Sequence, residues 1–256
     1  MRIILGFIAL MLAAPSFGQV VFKDTATKQA KTKSKPDFSK LNLANRANDH
    51  FMIQFGYDGW MNRPDSIQTT GFGRHFNMYV MLDKPFKTDP RFSVGLGAGV
   101  GSSNIYFDQT IVHIANKPTN NRQVVFEDVT DTTQFKKFKL ANAWLEAPVE
   151  LRFVANPFNT NNSFKVAVGA KVGFLVSATT KGKNLQTAGG TTIYGDKYIV
   201  KEKEKSYFNS TRFAATMRVG YGPFSLYGAY SILNLFKDGA GPAVKPYSIG
   251  LTISGL

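Results

Sequence analysis

An all-β, eight-stranded antiparallel up-and-down transmembrane β-barrel, preceded by a signal peptide and a disordered periplasmic arm, is the fold class the sequence predicts. Three observations predict it: long runs of alternating apolar and polar residues, connections between those runs that are by turns long and short, and an export signal at the N-terminus. The alternation is clearest in Leu140–Thr180. Ala141, Ala143, Leu145, Ala147, Val149, Leu151 and Phe153 share one parity, with Asn142, Glu146, Glu150 and Arg152 on the other. Period two is the signature of a strand. A second run sets Phe164, Val166, Val168, Ala170, Val172, Phe174, Val176 and Ala178 against Lys165, Gly169, Lys171, Gly173, Ser177 and Thr179. Between them Ala155–Ser163 is rich in Asn and Pro, the residues of turns, so the two runs form an antiparallel hairpin. Each arm of roughly fifteen residues spans on the order of 50 Å, well beyond the ~17–20 Å of ordinary strands. Strands tilted by about 45° across a ~30 Å hydrocarbon layer need such length.

The chain opens with Met1-Arg2, an apolar Ile3–Ala14 and then Pro15-Ser16-Phe17-Gly18-Gln19. A basic start, a short apolar core and small residues at Ser16 and Gly18 describe a secretory signal peptide over residues 1–18, cut before Gln19. Residues 19–49 follow as a disordered basic periplasmic arm, because Lys, Thr and Ser dominate and few apolar residues are available to bury. Residues 50–256 are assigned to the barrel. No other apolar run approaches the ~20 residues a transmembrane helix needs, so any membrane segment is a strand. The chain has no Cys, which excludes a disulfide framework, a thiolate metal site and lipid attachment through sulfur. Its net charge of +14 comes without a nucleic-acid motif. Anionic lipid head groups and polysaccharides are the partners an exported basic chain meets, and nucleic acid is not expected.

Strands are predicted at His50–Trp60, Gly73–Leu82, Arg91–Ser103, the two arms above, Thr211–Tyr221, Phe224–Ser231 and Tyr247–Ser254. The connections Met61–Phe72, Asn104–Lys139, Lys181–Ser210 and Ile232–Pro246 are long; Asp83–Pro90, Ala155–Ser163 and Gly222-Pro223 are short. Long extracellular loops and short periplasmic turns are the asymmetry of outer-membrane barrels, and the outer membrane of a Gram-negative bacterium is the predicted location. Phe92, Phe153, Phe164, Tyr221 and Phe224 fall where an aromatic girdle would lie at the short turns, and Tyr57, Trp60 and Tyr230 where one would lie near the long loops.

Facing the apolar parity inward would put Lys165, Lys171, Glu146, Glu150, Arg152 and Arg218 into hydrocarbon, at roughly 2–4 kcal/mol for each Lys or Arg at the midplane. The apolar face is therefore expected outside. Eight strands leave room only for side chains, so the lumen should be a packed polar core and not an open pore. The expected lumen ion-pair network comprises Glu146, Glu150, Arg152, Lys165, Lys171, Arg212 and Arg218, with Trp144 and Arg152 filling the space beside the glycine face of Arg91–Ser103.

The run Gly95-Leu96-Gly97-Ala98-Gly99-Val100-Gly101 does not make GxGxxG and precedes no helix; it reads as the small face of a strand. His50, His75 and His113 are isolated, without the convergent partners a metal site needs. The alternating Lys201-Glu202-Lys203-Glu204-Lys205 reads as a solvated loop edge. No catalytic, cofactor-binding or metal-ligating residue is assigned, and an enzyme is not expected.

The Gly-alternating Phe92–Gly101 run, the segment Trp144-Leu145-Glu146-Ala147-Pro148-Val149-Glu150-Leu151-Arg152-Phe153 and the closing Tyr247-Ser248-Ile249-Gly250-Leu251-Thr252-Ile253 resemble the PorT-like outer-membrane β-barrel family of the Bacteroidetes. The fourth strand of that family often reads Tyr-Leu-Glu-Ile-Pro-Leu-x-Leu-Lys, with Trp for Tyr and Ala for Ile here. The chain ends Gly255-Leu256, where many outer-membrane barrels end in an aromatic residue. The resemblance implies a small integral outer-membrane barrel, and its name-giving member is linked to secretion of exported proteins. The expected function is structural, adhesive or partner-binding, in contact with outer-membrane lipid and with a protein or polysaccharide through loops 104–139 and 181–210. Two rivals remain open: a soluble periplasmic lipocalin-like ligand-binding barrel, and a rim-active outer-membrane lipid enzyme built around Asp58 and His75.

Overall fold

Among the described residues eleven strands form from these patterns: β1 (Phe51–Met61), β2 (Arg74–Pro85), β3 (Phe92–Phe107), β4 (Thr110–His113), β5 (Val125–Asp128), β6 (Gln134–Val154), β7 (Phe164–Gln186), β8 (Ile199–Lys203), β9 (Thr211–Tyr221), β10 (Phe224–Ser231) and β11 (Lys245–Ser254). The structure, a computed structural model, describes residues 50–115 and 123–255. The expected signal peptide and basic arm lie outside the described residues. Eight strands pair in the order β6-β3-β2-β1-β11-β10-β9-β7, and pairing of β6 with β7 closes the sheet into an antiparallel barrel. Closure leaves no free edge among the eight.

Short connections lie at one end, over 86–91, 155–163 and 222–223; at the other end the chain makes four long excursions. Two of these differ from the expected loops. Residues 104–139 and 181–210 are partly strand, because β3 continues to Phe107, β6 starts at Gln134 and β7 runs to Gln186. The physical reason is that alternation persists above the membrane: Phe138 and Leu140 still point inward while Lys137 and Lys139 point outward. The rest of the first excursion contains the β4–β5 hairpin, and β8 adds to the upper part of β7.

The apolar parity faces outward. Phe174 and Leu226 are 58% and 67% exposed, whereas Lys171 on the other parity is 2% exposed. That is the reverse of what a soluble ligand-binding barrel requires. Phe153, Leu151, Val149, Ala147, Leu145, Ala143 and Ala141 stand in line on the outer face of β6. Strands advance about 3.3 Å per residue and tilt by about 40°, so this row covers roughly 30 Å of height, matching a hydrocarbon layer.

Ala178 does not keep the face expected of it. Ala143 pairs with Ser177 and Trp144 with Leu175, so Val176 is an extra residue in β7, a bulge. A bulge inserts one residue and reverses the parity above it. Val176 accordingly faces out at 58% exposure while Ala178 is fully buried. Trp60 also departs from its expected girdle position: it packs inward, 5.6 Å from the Phe107 ring and 6.0 Å from Phe236. Its parity is that of Gln54 and Asp58, opposite to Tyr57.

The interior is layered. The half nearest the short turns is mainly polar and charged, with a small cluster of Met52, Tyr79 and Met81 among its polar groups, whereas the half nearest the long excursions is apolar. That upper core takes Ile67 from the first excursion, Val112, Ile114 and Val124 from the second, Tyr207 and Phe208 from the third, and Leu235, Phe236 and Val244 from the fourth. The expectation of a uniformly polar lumen thus holds only for its lower half. Backbone bonds stitch the excursions together, with the Val124 N–H donating to the Ala240 carbonyl at 2.8 Å and the Asn209 N–H to the Leu235 carbonyl at 3.0 Å.

Candidate functional site

On β6 the inward residues read, from the short-turn end upward, Arg152, Glu150, Pro148, Glu146, Trp144, Asn142, Leu140 and Phe138. One strand therefore carries the change from ionic to apolar interior. Its two glutamates organise two clusters.

The lower cluster surrounds Glu150. Arg218 of β9 donates to it from Nη2 at 2.6 Å and from Nε at 3.1 Å, and Arg152 donates from Nε at 2.9 Å. Arg152 Nη1 also lies 3.4 Å from Asp83 Oδ1 of β2. The guanidinium occupies the space where a Cβ on Gly95 would stand, so this glycine is required for the close approach. Lys165 lies at the same level, lining a cavity of about 10 Å³ with Arg152, Arg218 and Ser225. That is space for little more than a water molecule.

The upper cluster surrounds Glu146. Lys171 Nζ is 3.1 Å and Arg212 Nη2 3.2 Å from its carboxylate, and the Tyr79 hydroxyl donates to it at 2.5 Å. Lys171 Nζ also reaches the hydroxyls of Tyr79 and Tyr227 at 3.4 Å each. Above them, the Arg212 guanidinium rests 5.5 Å from the Trp144 ring centre. Trp144 pairs with Gly101 across β3 and β6, but it does not supply the atoms nearest the β3 glycines. The atoms nearest Gly97, Gly99 and Gly101 include side-chain atoms of Met81, Tyr79, Asn77 and Glu146. Trp144 joins the apolar upper core instead, because it lies one layer above Glu146 on the same parity.

Six of the seven expected network residues therefore fall into these two clusters. Tyr79, Tyr227 and Asp83 were missed, although each shares the inward parity of its strand. A third polar group was missed as well. Asp58 of β1 lies 2.9 Å from His75 Nδ1 of β2, close enough to pair, and the Ser248 hydroxyl of β11 donates to Asp58 at 2.5 Å. Below it, Asn77 Nδ2 donates to Gln54 Oε1 at 3.3 Å and Gln54 Nε2 donates to Thr252 at 3.2 Å. Each is buried, and each buried polar atom so paired avoids a desolvation cost of about 1–3 kcal/mol.

Outside the membrane band, β8 is tied to the β4–β5 hairpin. Glu202 accepts from the backbone N–H groups of Ile114 and Ala115 at 2.8 and 3.1 Å, and its other oxygen lies 3.3 Å from His113 Nδ1. His113 Nε2 pairs with Glu127 of β5 at 2.9 Å. Burial opposes the charged imidazole, but hydrogen bonds to the two carboxylates outweigh it and hold His113 above its ordinary pKa. Burial likewise opposes ionised Glu202, but the N–H groups of Ile114 and Ala115 and the charge on His113 hold it below its ordinary value. Near the same end a polar recess of about 130 Å³ lies between the first excursion and the strand rims, walled by Tyr57, Asp58, Arg63, Thr69, Tyr106 and Tyr247.

A family model described as outer membrane protein beta-barrel domain matches residues 35–237. No curated protein matches the chain. Two solved structures of Ail, the attachment invasion locus protein of Yersinia pestis, one of them in complex with the heparin analogue sucrose octasulfate, are similar at 12% identity. Each match covers 80% of this chain and 94% of the other, with a TM-score of 0.33.

Proposed function

The chain belongs to the outer membrane protein β-barrel domain family, and from that premise we propose that it is a partner-binding barrel without enzymatic activity, whose closed lumen serves as a rigid base for its extracellular excursions. The observation that carries this is a set of exposed apolar residues beyond the membrane band. Tyr194 is 65% exposed with its ring tilted 4.8 Å from that of Tyr198, and Ile193, Ile199 and Val200 are exposed on the same stretch of chain. Outward apolar residues on the barrel wall face lipid, but these four lie on the excursion 187–210, where water would be their only neighbour. Exposed apolar groups gathered on one excursion in this way mark a contact surface for another molecule. A protein partner fits them better than a bare polysaccharide, because the apolar side chains offer area to bury.

The reading as a lipid enzyme finds less support. The Ser248 hydroxyl is directed at Asp58 rather than at His75, so the serine is not set up as a nucleophile activated by that imidazole, and all three side chains are buried away from lipid. Membership of the PorT-like group, and with it a part in protein secretion, is supported by the segment Trp144–Phe153; deleting the gene and comparing exported proteins tests that narrower reading.

The partner-binding reading is tested on intact cells carrying a photo-crosslinking residue at position 194, with one at Ile67 in the apolar core as control. A discrete crosslinked species from position 194 alone is the expected result. Absence of any crosslink in a correctly inserted barrel, or hydrolysis of phospholipid by the purified protein that His75→Ala abolishes, would overturn it.

A further inference from the structure

The outer face of the barrel changes character abruptly on one side. On β6 the apolar outward row ends at Ala141, and the next outward residues are Lys139 and Lys137. On β7 the outward residues above the bulge are Thr179, Lys181 and Lys183, and on β8 they include Lys201 and Lys203. The register places these in rows across the three strands. Lys139 pairs with Lys181 and Lys181 with Lys201, while Lys137 pairs with Lys183. Six lysines thus share one face just above the hydrocarbon band.

Such a row works against the fold that holds it, since like charges directly opposite one another across strands are destabilising. No carboxylate relieves it: among the described residues none of the six lysines is ion-paired. The alternation in Lys201-Glu202-Lys203 sends the lysines outward and Glu202 inward to the end of β4. The row continues around the wall. Lys139 Nζ donates to Asn104 Oδ1 at 2.7 Å, and Lys139 and Arg74 each lie within 6 Å of the Tyr106 ring centre, at 5.9 and 5.8 Å. At the other side of the barrel, Phe213 and Tyr230 hold the outward positions near this rim and carry no charge. Lys245 of β11 also takes an outward position at this rim, but the rows of lysines facing one another across strands lie on β6, β7 and β8.

We propose that this sector, centred on Lys139, Lys181 and Lys201, binds the phosphate groups of lipid head groups in the outer leaflet. Height and direction favour lipid over a soluble polyanion. The lysines lie one residue pair above the last apolar outward residue, where head-group phosphates sit, and they point sideways along the lipid-facing parity rather than upward from the loop tips. Phosphate supplies the negative charge the row lacks, and a lysine binds it as a compact point charge with rotatable donors. This inference rests on the outer-membrane location and not on the partner-binding reading, which concerns residues 193–200.

The test uses the full chain refolded in detergent, with a fluorescent diphosphorylated lipid A as the probe and its enzymatically dephosphorylated form as the comparison. Each lysine near an anionic surface is worth roughly a fivefold change in affinity, so Lys139→Gln, Lys181→Gln and Lys201→Gln combined should weaken binding by about a hundredfold. The matched arginine variant should restore it, and Lys84→Gln with Lys87→Gln at the short-turn end should leave it unchanged. Heat-modifiable migration reports folding of each variant. Should the glutamine variant fail that check, the wild-type chain decides alone, by binding the phosphorylated lipid at least tenfold more tightly than the dephosphorylated one. Equal affinity of the folded glutamine variant and wild type, or equal affinity of wild type for the two lipids, would overturn the proposal. So would a variant that loses binding only to soluble heparin.

Discussion

Glu150 of β6 holds Arg218 of β9 at two points, Nη2 at 2.6 Å and Nε at 3.1 Å, across the inside of the barrel. The two strands are not neighbours, because β7 lies between them. The pair therefore acts as an internal strut and adds a constraint beyond the backbone ladder.

Removing one partner of a buried pair strands the other charge. Glu150→Ala should destabilise the barrel by about 3–5 kcal/mol, since Arg218 and Arg152 both lose their hydrogen bonds to this buried carboxylate, Arg152 keeping its contact with Asp83. Glu150→Lys should be worse. Urea unfolding in detergent and the temperature at which the folded band disappears measure this, and undiminished heat resistance would count against the strut.

The small face of β3 makes a second expectation. A Cβ on Gly99 would lie 2.0 Å from the Met78 carbonyl oxygen and 2.7 Å from the Tyr79 ring, and backbone cannot swing away as a side-chain end can. Gly99→Val should prevent formation of the heat-modifiable barrel, whereas substitution of Gly228, around which a Cβ meets nothing within 4 Å, should be tolerated. Refolding yield of the two variants checks it.

The link between β8 and the β4–β5 hairpin should depend on pH in both directions. His113 has a raised folded pKa, so its contribution is complete below its ordinary value of 6.5 and is lost as pH rises through the folded value. Glu202 has a lowered folded pKa, so its contribution is complete above its ordinary value of 4.5 and is lost as pH falls through the folded value. Protection of the Ile114 and Ala115 amides from hydrogen exchange should be greatest between those two ordinary values. His113→Gln should remove the alkaline decline and leave the acid one.

The apolar cap should be separable from the barrel wall. Phe236 is buried against Phe208, with ring centres 5.0 Å apart, and meets Trp60 and Phe126 as well. Phe236→Ala should cost about 3–5 kcal/mol of local stability in the cap. Protease should then cut within 232–244 on intact cells, while heat-modifiable migration of the barrel persists. Cleavage no faster than in wild type would show that the excursions do not depend on this core.

Parity alone made much of the candidate site legible. Lys171 and Glu146 could be assigned to the interior because their neighbours one residue away, Val172 and Leu145, belong to long apolar rows that hydrocarbon accepts and charge does not. Asp58, Tyr79 and Tyr227 obeyed the same rule in shorter strands, where fewer charged neighbours drew attention to them. Ala178 could not be placed that way, since a bulge at Val176 leaves no mark in a run of small and β-branched residues. Lys201-Glu202-Lys203 shows the intermediate case: its alternation was visible, but only pairing with β7 made it two faces, one cationic toward lipid and one acidic toward His113.

By itself the sequence determined the barrel, its closure from eight strands, the end at which its excursions lie and the side of the sheet that meets lipid, because period-two alternation over membrane-spanning length admits few other arrangements. Tertiary structure alone decided which lysine or arginine meets which glutamate, and that the upper lumen is filled by apolar residues from all four excursions. Those contacts join positions such as Ile67, Val112, Phe208 and Phe236, which are far apart in the chain and share no local pattern. They come together only because folding of the barrel gathers the excursions over its open end, where apolar side chains must be buried from water.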